Sequence, residues 1–97
     1  MDRITECDGI IFSEGKIDGA VVSSVNVELS KQNALLGELK TKMANQAKGL
    51  GANSISNYSY RQEKRLFGWD NLSLVGTGMA VIAPEDVLSE LKKGQIG

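Results

Sequence analysis

Residues 30–55 are SKQNALLGELKTKMANQAKGLGANSI, and this stretch decides the fold of the chain. Its apolar side chains recur at steps of three and four residues, which places them on one face of an α-helix. They are Leu36, Leu39, Met43, Ala47 and Leu50, with Leu35 and Ala44 widening the stripe. The spacing predicts one amphipathic helix of about 19 residues, roughly 28 Å long.

Both ends of the predicted helix carry capping signals. Ser30 is a candidate N-cap, because its hydroxyl can accept a hydrogen bond from a first-turn amide. At the other end, Gly51 or Gly49 is expected to take the left-handed conformation that ends helices. Lys40 and the other polar residues fall off the apolar stripe, so we expect them on the face exposed to solvent.

Two segments that flank the helix alternate between faces, as half-buried strands do. Residues 20–29 place four apolar side chains on one face with Ser23: Val21, Val25, Val27 and Leu29. Residues 54–63 predict a more polar strand, in which Ile55 faces one side while Tyr58 and Tyr60 face the other. The helix therefore joins two strands of one sheet.

Residues 72–82 predict a third strand that is apolar on both faces, so both faces need cover. Gly76 and Gly78 lie on the first face, where the lack of side chains lets the long helix approach closely, with Ala44 or Ala47 as the crossing point. The second face carries Val22, Tyr58, Tyr60, Val75, Met79 and Val81. Either a C-terminal helix or another subunit can cover it, and so large an apolar face favours a homo-oligomer.

The two ends of the chain are less regular. Residues 1–19 contain two strand-like segments separated by Asp8 and Gly9, a pair common in hairpin turns, so this part is a hairpin or an irregular arm. Residues 84–97 begin with Pro84, followed by acidic residues and then lysines. That order predicts a short C-terminal helix and a tail.

Residues 62–71 predict a hairpin whose tip carries Phe67 and Trp69. Aromatic side chains beside charged ones can anchor a partner protein or stack on a planar ligand. The alternative is burial of the tip against a neighbouring subunit or the N-terminal arm. The candidate ligand- or partner-binding residues are Tyr58, Tyr60, Arg65, Phe67 and Trp69.

Taken together, the segments predict an α+β fold: a β-α-β-β unit with the long helix packed on a small antiparallel sheet, and a short C-terminal helix. An extra N-terminal hairpin is an option. We expect a single domain over residues 1–97, divided into an arm or hairpin at 1–19, a core at 20–83, and a C-terminal helix and tail at 84–97.

Composition excludes several functions. A net charge of −1 gives no attraction to nucleic acid or anionic lipid, so we expect neither as a partner. We find no leader and no apolar run long enough to span a membrane, which favours the cytoplasm. The chain has no histidine, and so lacks the commonest general base and metal ligand. We therefore expect no enzymatic activity.

Cys7 is the single cysteine, which fits a reducing compartment. It lies between Glu6 and Asp8, and acidic neighbours disfavour the reactive thiolate. An inert cysteine is one interpretation. The other is a metal site, in which a symmetric ring gathers one copy of Cys7 from each subunit.

Two short motifs carry a family likeness: LGAN at residues 50–53 and GTGMAV at residues 76–81. With the order of elements over residues 20–83, they make the chain resemble the YbjQ-like family of small bacterial and archaeal proteins. The resemblance implies a dodecin-like β-α-β-β fold, a homopentameric ring and heavy-metal binding. The N-terminal segment and the C-terminal helix depart from that pattern.

Two functions follow as hypotheses. The first is a non-enzymatic homo-oligomeric domain of the YbjQ-like type that binds a metal ion or small ligand at subunit interfaces. The alternative is a protein-interaction or scaffolding module that uses the Phe67 and Trp69 hairpin tip. Neither hypothesis identifies a cofactor.

Overall fold

A computed structural model of the chain describes residues 4–30, 36–64 and 72–93. Within these ranges the elements run in the order β1 (Ile4–Cys7), β2 (Ile10–Ser13), β3 (Ala20–Ser30), α1 (Leu36–Gly49), β4 (Ser54–Lys64), β5 (Leu72–Ile82) and α2 (Glu85–Lys93). The strands form one five-stranded sheet in the order β1-β2-β4-β5-β3. The predicted α+β fold is confirmed, including the long helix and the short C-terminal helix.

The sheet is mixed rather than wholly antiparallel. Strands β4, β5 and β3 are antiparallel neighbours, as expected for the core. The N-terminal segment is a hairpin of β1 and β2, and Asp8 (φ 50°) and Gly9 (φ 82°) form its two-residue turn. Strand β2 then pairs in parallel with β4. The small antiparallel sheet predicted from the sequence is thus extended by a parallel pair, because β2 and β4 are joined by a crossover through β3 and α1.

Helix α1 ends as the sequence predicts. Gly51 has a φ of 80°, and its amide donates to the Lys48 carbonyl at 3.0 Å. The Ala52 amide donates to the Ala47 carbonyl at 2.9 Å, which completes a Schellman cap. Ser30, the expected N-cap, is the last residue of β3, and residues 31–35 lie outside the described part of the chain.

The main core lies between α1 and one face of the sheet. Leu39, Met43, Ala44 and Ala47 of α1 are fully buried there. A Cβ added at Gly76 would lie 2.5 Å from Met43 Sδ and 3.0 Å from Leu39 Cδ2. The glycine on β5 therefore accommodates α1, as expected, although its closest neighbours are the side chains of Leu39 and Met43 rather than Ala44 or Ala47.

The second face of the sheet is covered at one end by α2. Val81 is fully buried, and the cluster around it contains Ile17, Met79, Ala83 and the α2 residues Val87, Leu88 and Leu91. The C-terminal helix, one of the two covers expected for this face, covers this end of it. Farther along β5, Thr77 forms a hydrogen bond with Ser59 at 3.0 Å, and Val75 beyond it is buried at 7% exposure.

Asn53 ties the end of the LGAN turn to the segment before α2. Its Nδ2 donates to the Ala83 carbonyl at 3.0 Å, and its Oδ1 accepts from the Ala83 amide at 2.9 Å. Both backbone groups of Ala83 are thereby satisfied, so α2 starts from a fixed position. No helix among the described residues is long and apolar enough to cross a membrane.

Candidate functional site

A small cleft opens where the N-terminal hairpin, the first half of α1 and β4 meet. Its volume is about 60 Å³. The residues that line it are Thr5, Glu14, Leu36, Lys40, Tyr58 and Tyr60. Strands β1 and β4, helix α1 and the residue that follows β2 therefore contribute to one site.

A β-bulge in β4 directs Tyr58 toward this cleft. The register between β4 and β5 shifts between Ser56 and Ser59, so two residues of β4 lie opposite one residue of β5. Asn57 adopts a φ of 54° at the bulge, and its amide donates to the Gly15 carbonyl at 2.9 Å. Strict alternation placed Tyr58 on the second face of the sheet, and that prediction is wrong. The bulge turns its side chain into the core beside α1.

Tyr58 is packed by aromatic side chains on two sides. The Phe12 ring meets it edge-on, with centroids 5.2 Å apart and planes at 85°. The Tyr60 ring stacks on it at 6.3 Å and remains 52% exposed at the mouth of the cleft. Tyr58 itself is 7% exposed, and its hydroxyl has no hydrogen-bond partner among the described residues.

Lys40 reaches across the cleft from α1. Its Nζ lies 5.3 Å from the Tyr58 ring centroid and 5.7 Å from that of Phe12, within the range of cation–π attraction. The same Nζ donates to Thr5 Oγ1 at 3.0 Å. Lys40 was expected on a solvent-exposed face of the helix. It is instead half-buried, because the N-terminal hairpin packs beside that part of α1.

Burial raises the pKa of Tyr58 from 10.0 to about 12, with smaller contributions from the negative charges that Tyr60, Glu14 and Cys7 can carry. Removal of its proton would place a phenolate in an apolar part of the protein. The Tyr58 hydroxyl therefore stays protonated at neutral pH and acts as a hydrogen-bond donor.

This raised pKa predicts a loss of stability at high pH. Below pH 10 the phenol is protonated in both states and contributes no pH dependence. Between pH 10 and pH 12 the unfolded chain releases the proton while the folded protein keeps it, so the free energy of unfolding falls. We expect the wild type to lose about 2–3 kcal/mol more than Tyr58→Phe between pH 9 and pH 12, measured by urea unfolding. Equal losses in the two proteins would contradict the burial of this hydroxyl.

The other predicted site residues are distributed differently. Arg65, Phe67 and Trp69 lie outside the described residues, so the proposed hairpin tip stays a prediction. Cys7 lies on β1, half-buried, with its Sγ 3.8 Å from Thr41 Oγ1. Among the described residues no group of three or more His, Cys, Asp or Glu side chains is placed to hold a metal ion.

Comparison with solved structures finds a neighbour with a similar fold. It is a crystal structure of a protein of unknown function from Pediococcus pentosaceus ATCC 25745, which belongs to the DUF74 family. The chain has a DUF74-like fold. The two structures superpose with a TM-score of 0.66 at 19% sequence identity, over 79% of this chain and 100% of the neighbour. No protein-family model matches the sequence, and no curated protein matches it significantly.

The comparison establishes the fold and does not assign a role to the side chains of the cleft. Tyr58 and Tyr60 were singled out from the sequence, and the structure brings them together. Lys40 and Thr5 were missed, because no motif links β1 to α1. Asn57 was the signal that sequence reasoning overlooked, since asparagine tolerates the left-handed conformation that a bulge requires.

Proposed function

We propose that the protein is a non-enzymatic homo-oligomeric module, related to the YbjQ-like proteins, whose subunits associate along the outer edge of β3. Strand β3 is 11 residues long and lies at one end of the sheet. Its backbone groups pair with β5 on one side, and no described strand pairs with the other side. A long strand at the edge of a sheet favours strand addition by another chain.

Exposed apolar side chains at one end of β3 support the proposal. Val21 is 57% exposed and Val22 is 39% exposed. Ile82, 46% exposed, pairs with Ala20 at the same end of the β3–β5 ladder. A second copy that paired with β3 would cover the strand edge and part of the exposed apolar surface at this end of β3. That cover favours a copy of the same chain over an extended peptide, which would cover less.

The opposite edge of the sheet is less suited to association. Strand β1 has only four residues, against 11 in β3. A short edge offers few backbone hydrogen bonds to a partner.

The symmetry of the contact decides the number of subunits. Pairing of β3 with β3 about a two-fold axis gives a dimer, whereas a head-to-tail contact gives a ring. The resemblance to YbjQ-like proteins favours a pentameric ring, in which the β3 edge of one subunit meets a different surface of the next, with any metal ion or small ligand held between subunits.

The decisive experiment measures the mass of the protein in solution. We expect light scattering coupled to gel filtration, and native mass spectrometry, to give a multiple of the 10.4 kDa chain mass. The double variant Val21→Lys and Val22→Lys places two charges on the β3 edge, and we expect it to raise the dissociation constant at least tenfold. Leu50→Lys is the matched control: it changes another exposed apolar residue, at the end of α1, and should leave the assembly unchanged.

Other outcomes distinguish the alternatives. A wild-type monomer at every concentration up to 1 mM, roughly the weakest affinity of functional interest, would refute self-association and favour the scaffolding hypothesis. An assembly that survives the β3 substitutions but dissociates with Leu50→Lys would place the interface elsewhere. Repeating the native spectra after addition of divalent metal ions reads out any ion retained between subunits.

A further inference from the structure

We propose that the cleft between Lys40 and Tyr58 is a binding site for a small monocarboxylate ligand. One subunit provides every residue that the argument uses, so this inference is independent of self-association. It rests on hydrogen-bond donors carried by residues that line one small cavity, and on a buried hydroxyl with no partner among the described residues.

The Tyr58 hydroxyl is the first reason. It is buried, it has no partner among the described residues, and its ring is held by Phe12 and Tyr60. A buried polar group without a partner destabilises the protein, so native structures rarely keep one unless water or a ligand completes it. The phenol keeps its proton at neutral pH, so it has one hydrogen to donate. An acceptor oxygen would use that hydrogen.

Lys40 supplies the charge. Its ammonium group has three hydrogens, and one of them is used by Thr5 Oγ1. The two aromatic rings hold the Nζ at 5.3 Å and 5.7 Å from their centroids, so its position is fixed before a ligand arrives. Thr5, which accepts from Lys40, keeps its own hydroxyl hydrogen to donate. A carboxylate offers two acceptor oxygens and the charge opposite to that of Lys40.

The size and the rim of the cleft restrict the ligand further. A volume of about 60 Å³ has room for several water molecules, which admits a carboxylate head and a short tail. Glu14 lies at the rim, exposed, and its charge opposes a second negative charge on the ligand. The same carboxylate can accept from an amino group. Acetate-like and amino-acid-like monocarboxylates therefore fit better than phosphate or a dicarboxylate.

The test is an NMR titration of the ¹⁵N-labelled protein at constant ionic strength. Sodium acetate, glycine and sodium phosphate serve as ligands, and sodium chloride as the reference. We expect acetate or glycine to shift the amide signals of Thr5, Lys40 and Tyr58 in a saturable manner, and phosphate to bind at least fivefold more weakly.

Variants assign the effect to the donors. Tyr58→Phe keeps the ring and removes only the hydroxyl, and we expect it to raise the dissociation constant about tenfold. Lys40→Met keeps most of the length of the side chain and removes the charge, and should abolish saturation. Ser59→Ala is the matched control, because it removes a hydroxyl from the same strand on the other face of the sheet, where Ser59 bonds to Thr77.

Three results would overturn the proposal. One is the absence of saturable shifts beyond those of sodium chloride up to about 100 mM ligand, a concentration roughly a hundredfold above a millimolar dissociation constant. Another is equal affinity of the wild type and Tyr58→Phe. The third is tighter binding of phosphate than of acetate and glycine. Gel filtration of the same samples reports self-association separately, so failure of one proposal does not mask the other.

Discussion

Replacement of Phe12 by alanine is expected to lower the free energy of unfolding by about 3–5 kcal/mol. Phe12 lies on β2 in the N-terminal hairpin and is 1% exposed. Its ring packs edge-on against Tyr58 and lies under the Lys40 ammonium group. The loss therefore combines the transfer of a large apolar group, the cavity that remains, and an aromatic contact. For a domain of this size it is a large part of the total stability, about 5–15 kcal/mol.

Urea unfolding followed by circular dichroism measures this loss. Phe12→Leu is the matched control: it keeps most of the apolar volume and is expected to cost less than about 1.5 kcal/mol. A loss below about 1 kcal/mol for Phe12→Ala would mean that the hairpin is a loosely attached arm. The prediction thus decides between the two interpretations of residues 1–19 in solution.

The core of the fold could be predicted because its signals are local. The apolar stripe of α1, the glycine cap at Gly51 and the two-sided strand β5 each depend on residues close together in the sequence. Periodicity and capping depend only on residues this close together, so they can be identified without knowledge of the tertiary structure. The LGAN motif was recognised for its turn, and its asparagine also fixes the start of α2.

The pairing of β2 with β4 could not be predicted in the same way. These strands are separated by β3 and α1, and their parallel register depends on contacts between distant residues. Strand β4 is polar in sequence, and a parallel pair leaves no turn motif to mark it. The candidate site could not be predicted in full for the same reason, since Thr5 of the hairpin and Glu14 just after it line the cleft.

The cleft itself was half visible in the sequence. Tyr58 and Tyr60 were predicted as ligand-binding residues, but period-two alternation put them on the wrong face of the sheet. A single inserted residue reverses the face of every later side chain on that strand, and the bulge at Asn57 does this. Lys40 was expected on the solvent-exposed face because the periodicity of the helix alone does not show that the N-terminal hairpin packs against that face.

Replacement of Gly76 by valine is expected to lower the free energy of unfolding by about 3 kcal/mol, because it adds three carbon atoms to a filled part of the core. The first of them, at the Cβ position, would lie 2.5 Å from Met43 Sδ and 3.0 Å from Leu39 Cδ2. Both side chains are fully buried, so neither can move into solvent. Accommodation requires α1 to shift away from β5 or its side chains to leave their preferred rotamers.

Thr77→Val is the matched control, since it introduces the same side chain one position along β5, on the face away from α1. It removes a half-exposed hydroxyl that bonds to Ser59 and is expected to cost less than about 1 kcal/mol. The double variant Gly76→Val with Met43→Ala should lose less stability than the sum of the single variants, by about 1–3 kcal/mol, because each change fills or empties the same space. Additive losses in urea unfolding would show that Gly76 and Met43 do not share a contact. The packing of α1 on β5 described above would then be wrong.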